Sequence, residues 1–97
     1  MLNSKQRARL RSMANKVETI MQIGKGGINE NIVKQVEDAL LARELIKVRV
    51  LENSIYTAKE AAVEIAEATD CEVVQVMGSR ITFYKRHPKE PKISLDD

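Results

Sequence analysis

Near the start of the chain, apolar side chains recur at Leu10, Met13, Ala14 and Val17, the i, i+3, i+4, i+7 spacing of one helix face. Asn3 or Ser4 is placed to cap a helix over residues 5 to 15. At 100° steps, Lys5, Arg9 and Lys16 fall along one border of that stripe and Arg7 with Arg11 along the other. The helix is expected to dock by its apolar strip and present basic flanks. From Val17 to Ile23 the period changes to two, with Val17, Thr19, Met21 and Ile23 opposed to Glu18, Ile20 and Gln22, which predicts a short strand ending at Gly24.

The helical period returns over residues 30 to 43, where Ile32, Val33, Val36, Ala39 and Leu40 share a face and Asn29 can cap the start. Residues 45 to 52 alternate again, with Ile46, Val48 and Val50 on one side and Lys47 and Arg49 on the other. Thr57 and Glu60 form a capping box that opens an alanine-rich helix running to about Thr69. The last two alternating runs, 71 to 77 and 80 to 86, are separated only by Gly78 and Ser79, the spacing of a tight hairpin. After His87 the string holds both prolines and little core material, so residues 88–97 are expected as a disordered tail on a single domain of residues 1–87. The order helix, strand, helix, strand, helix, strand, strand predicts an α/β two-layer sandwich around a four-stranded mixed sheet. Right-handed crossovers place the second and third helices on one face. The opposite face would carry Lys47, Arg49, Arg80, Thr82, Tyr84 and Arg86, either as open sheet or as a dock for the first helix.

Composition narrows what such a domain can be. With 97 residues there is room for one aliphatic core and no second domain, which excludes two-domain enzymes. A single cysteine, Cys71, cannot form an internal disulfide, and no apolar run suits a signal peptide or a membrane span, so a soluble cytoplasmic protein is expected. The net charge is only +2, but it is polarised: residues 1–27 carry six basic groups against Glu18 alone, while the rest of the chain sums to −3. A concentrated basic end suits a polyanion, although a solvated helix face would look the same.

The candidate chemistry lies in Gly24-Lys25-Gly26-Gly27, between a strand and a helix. Glycines let a backbone approach a ligand closely, the next helix offers N–H groups and partial positive charge, and Lys25 adds a mobile cation, a combination suited to phosphate. The absence of a hydroxyl residue after Lys25 argues against nucleoside triphosphate chemistry. Gly24-x-Gly26, followed by Glu52 near the end of the next strand, leaves open a small nucleotide-binding protein, though Asn29 stands where the dinucleotide fingerprint has its third glycine. The other reading is a Gly-x-x-Gly clamp on a nucleic-acid backbone, which also uses the basic first helix. With three aromatics in the chain, recognition by shape and phosphate contact is expected rather than extended base stacking. A protein-interaction module with incidental basic charge is a third reading. Catalysis has little support: His87 has no companion, Cys71 has no adjacent base, and no metal-ligand spacing occurs. Neither an enzyme nor a cofactor or small-molecule substrate is expected.

The segments SKQRARLRSMAN, MQIGKGGINENIVKQVEDAL, ELIKVRVL and EVVQVMGSRITFYKR, in this order, resemble the YhbY family of stand-alone bacterial CRM domains over about residues 3 to 87. The resemblance implies an RNA-binding fold akin to the C-terminal domain of translation initiation factor three, and association with large-subunit ribosomal RNA in pre-ribosomal particles during assembly. It implies RNA contact by Gly24, Lys25 and Gly27, matching the family's loop. Gly26 stands at a loop position where the family tolerates various residues, and the chain departs from the family's pattern with Asn29 where a hydroxyl residue is usual. The full set of expected RNA-binding residues is Gly24, Lys25, Gly26, Gly27 and Asn29, with Lys5, Arg7, Arg9, Arg11 and Lys16 on the first helix and Arg80, Tyr84 and Arg86 on the sheet.

Overall fold

A computed structural model describes residues 2–95. The chain runs α1 (Ser4–Ala14), β1 (Thr19–Ile23), α2 (Glu30–Arg43), β2 (Leu45–Val50), α3 (Ala58–Thr69), β3 (Glu72–Met77) and β4 (Arg80–Tyr84). The four strands form one mixed sheet in the order β1-β2-β4-β3. β1 and β2 are parallel across the α2 crossover, and β4 lies antiparallel between β2 and β3. The expected α/β sandwich is therefore present, with Gly78 at φ 60° in the hairpin turn.

Two apolar clusters sit on opposite faces of the sheet. The larger joins Ile23, Ile46, Val48, Val50, Ile81 and Phe83 to Val36 and Leu40 of α2 and to Ala61, Ala62 and Ile65 of α3. The smaller joins Leu10 of α1 to Leu45, Val74 and Tyr84, with Met13 and Val17 at its margin. Burial on two sides explains why strand positions that alternate in sequence are nearly all apolar at one end of the sheet. Caps set the helix starts. Asn3 Oδ1 accepts from the Gln6 amide at 2.8 Å while Gln6 Oε1 accepts from the Asn3 amide at 3.0 Å. Thr57 and Glu60 repeat this reciprocal arrangement at α3.

Several strand ends differ from the periodic reading. The amides of Lys16 and Val17 bond back to Met13 and Ala14 carbonyls, so the turn after α1 claims Val17 and β1 begins only at Thr19. Within β1, Thr19 pairs with Lys47 and Met21 with Val48, a bulge at Ile20 that breaks the alternation expected through Thr19 and Met21. β2 ends at Val50 and β4 at Tyr84, with the last ladder hydrogen bonds made by the Leu51 amide to the Ile23 carbonyl and by the Lys85 amide to the Glu44 carbonyl.

The segment expected as a tail has no helix or strand over residues 87–95, yet it is tied to the domain. Glu44, at the C-cap of α2 with φ 64°, is fully buried, and its carboxylate accepts from the amides of His87 at 2.8 Å, Lys92 at 2.6 Å and Ile93 at 2.8 Å. His87 Nδ1 accepts from the Lys89 and Glu90 amides, which closes the intervening turn. Ile93 and Leu95 then pack against the Leu10 cluster. A single buried carboxylate thus organises a strap that composition alone marks as loose. Residues 96 and 97 of the expected tail lie outside the described residues.

Candidate nucleic-acid interface

The GKGG loop is a tight turn in which the Gly27 amide donates to the Gly24 carbonyl at 3.0 Å, leaving Lys25 and Gly26 exposed at the tip. Its glycines do different work. Gly27 is buried at φ 69°, and a Cβ there would stand 3.3 Å from the Tyr56 ring. A Cβ at Gly24 would touch Leu51 and Asn53, whereas at Gly26 it would meet open space. Gly24 and Gly27 therefore seat the loop against the β2–α3 connection, and Gly26 keeps the tip free of side chain beside Lys25.

The start of α2 is less suited to an anion than its position suggests. Asn29 Oδ1 is spent on the Ile32 amide at 2.9 Å, and Glu30 places a carboxylate in the first turn. Asn29 acts as the helix cap, and an incoming phosphate would meet Glu30 at that end.

The basic residues on and just after α1 do not divide along the two borders, because Arg7 and Arg11, expected on one border, have different surroundings. Arg11 and Lys16 are exposed, as are Lys5 and Arg9, which hold intramolecular interactions. Arg7 is half-buried and its guanidinium donates to the Val73 carbonyl, so it fastens α1 to β3. Lys47 Nζ donates to the Ala14 carbonyl at 2.8 Å, a cation placed on the last turn of the same helix. α1 docks on the sheet face that the alternation left unassigned.

That docking overturns one expected RNA contact. Tyr84 is 4 % exposed and lies beneath α1 with Leu10, Leu45 and Val74, where no base can stack on it. Thr82 is buried beside it. Arg86 is exposed, but it follows the end of β4 opposite to Arg80, beside the strap. Of the three sheet residues expected to contact RNA, only Arg80, at the hairpin end, is exposed on the open part of the sheet, and its Cα partner on β2 is Arg49. Arg49 is expected on this face but not among the RNA-binding residues, and the register that sets it directly opposite Arg80 is not written in either strand alone.

Among the described residues no group of three or more His, Cys, Asp or Glu could hold a metal ion, and no helix is long and apolar enough to cross a membrane. Burial pushes the Cys71 thiol up, and its sulfur accepts from the Thr69 hydroxyl, which makes it a packing residue rather than a nucleophile. His87 is occupied in the strap turn.

The domain thus combines an exposed lysine-glycine turn on a small mixed sheet with a basic helix docked across one face. Residues 2–85 match the CRS1 / YhbY (CRM) domain, and the chain belongs to that family. It is 41% identical over 95 residues to the Probable RNA-binding protein YqeI of Bacillus subtilis (strain 168), covering 98% of this chain and 99% of that protein. It is 31% identical over 94 residues to an RNA-binding protein of Haemophilus influenzae, covering 97% of this chain and 94% of the relative. The solution structure of the hypothetical protein SAV1595 from Staphylococcus aureus superimposes with a TM-score of 0.81 at 50% identity, covering 99% of this chain and 100% of that one.

Proposed function

We propose that this chain is a non-enzymatic RNA-binding protein that grips phosphates of a structured RNA and acts in the cytoplasm on large-subunit ribosomal RNA precursors during assembly. The observation that carries the reading is the exposed Lys25-Gly26 tip, held on a rigid base by Gly24 and Gly27 and left free of competing side chains. Family membership and the RNA-binding names of the relatives support RNA as the partner. The exposed basic residues of α1 supply further phosphate contacts, consistent with +5 over the first 27 residues. A scarcity of exposed aromatics favours recognition of a folded RNA by shape over threading of a single strand.

The test replaces Lys25 and Gly26 together by Asp. Gly26 has open space and both residues are exposed, so the thermal midpoint should stay near wild type. Binding to a fluorescein-labelled RNA hairpin should fall about tenfold or more, ~1.4 kcal/mol. Co-sedimentation with large-subunit precursor particles at low salt, lost in this variant, would extend the result to the proposed assembly role. A folded double variant that binds the hairpin like wild type removes the loop from the interface.

A further inference from the structure

On the face that α1 partly covers, β2 and β4 place three residue pairs in succession. Leu45 pairs with Tyr84, Lys47 with Thr82, and Arg49 with Arg80. The first pair is buried under α1; in the second, Thr82 is buried and Lys47 is half-buried and engaged on Ala14. The third pair is exposed, and neither guanidinium has a hydrogen-bond or ion-pair partner among the described residues. Residues directly opposite on antiparallel strands have Cβ atoms about 5 Å apart, and like charges so placed repel. Two unpartnered arginines side by side therefore cost stability in the free protein, and an anion between them would reverse the sign of that interaction.

The row continues on both sides. Gln22 of β1 pairs with Arg49, and Met77 of β3 pairs with Arg80; both are exposed, Met77 at 64 %. At roughly 4.8 Å between strands, Gln22, Arg49, Arg80 and Met77 span about 14 Å. Thr19, Gln22, Arg49 and Arg80 line one shallow groove with Ile20 and Met21. Gly24 follows Gln22 by two residues, so the groove opens at the foot of the GKGG loop. It lies between that loop and the α1 end of the sheet.

We infer that Arg49 and Arg80 form a two-guanidinium clamp on a single phosphodiester of the RNA backbone, joining the GKGG loop to α1 as one path. The inference rests on the RNA-binding reading and names a second contact within it. Guanidinium forks match phosphate oxygens in pairs, which a lysine at the same place would not. Gln22 offers an amide donor on the loop side, and Met77 offers a soft apolar surface for a ribose or base on the other.

The experiment measures binding of the labelled RNA hairpin by Arg49→Gln, Arg80→Gln, the double variant and the Lys25/Gly26 loop variant, over a range of salt. Each single variant should lose about tenfold and the double little more. The salt slope should fall by roughly 0.7–0.9, the value of one phosphate. The thermal midpoint should hold or rise, because the repulsion is relieved. In wild type, addition of hairpin should shift the Nε–Hε resonances of both arginines, and inorganic phosphate alone should shift them less; equal shifts would overturn RNA backbone as the preferred ligand. Additive losses with a slope change near two would overturn the shared clamp, as would a lowered midpoint in either single variant. Wild-type affinity in the double variant, with the loop variant weakened, would overturn the clamp and leave the RNA reading standing. Wild-type affinity in all variants would overturn both.

Discussion

The two ends of one sheet face share an alternating pattern and have opposite fates. At one end, Leu45, Val74 and Tyr84 are sealed by Leu10 of α1. At the other, Gln22, Arg49, Arg80 and Met77 lie open. What differs is only whether α1 reaches them. Arg7 on Val73 and Lys47 on Ala14 pin the helix across the closed end, so basic residues there serve as fasteners, while those at the open end remain exposed to a partner. A basic residue's sign therefore says less about its role than its distance from the docked helix.

Breaking the closed end should have the largest effect. Leu10→Ala removes a side chain that is 0 % exposed and should cost about 2–5 kcal/mol, read as a fall in the chemical denaturation midpoint. The same experiment on Arg49→Gln should show no loss.

The strap beside the closed end comes next. Glu44→Gln keeps the shape but weakens three charge-assisted hydrogen bonds and turns an amide N–H toward buried donors. It should cost about 2 kcal/mol and speed hydrogen exchange at the Lys92 and Ile93 amides. Burial acts to raise the Glu44 carboxyl, but the amides of His87, Lys92 and Ile93 outweigh it and hold the group below its ordinary value of 4.5. A depressed folded-state value means the carboxylate stabilises the fold fully above the unfolded value. That stabilisation is lost as pH falls below 4.5 through the folded one. Protection of those two amides should drop with it, and should be independent of pH in this range in Glu44→Gln.

The smallest contrast lies within the loop. Gly27→Ala meets a positive φ and the Tyr56 ring at 3.3 Å, and should cost about 1–2 kcal/mol. Gly26→Ala enters open space and should shift the thermal midpoint by no more than about 0.5 kcal/mol equivalent. Equal effects at both positions would show that the loop is not seated against Tyr56.

The order of elements, the caps at Asn29 and Thr57 and the hairpin at Gly78 are legible in the chain alone, because each rests on interactions within a few residues. Helical and strand periods, capping side chains and turn glycines are all local physics. Tertiary structure alone decided that Tyr84 is buried, that Arg7 is a fastener and that Arg49 stands opposite Arg80. It also turned a proline-bearing tail into a strap, through a carboxylate 43 residues before His87. Strand alternation states that two faces exist without stating which one a distant helix will cover. Cross-strand register depends on bulges at Ile20 and Val74, which the pattern of either strand does not reveal.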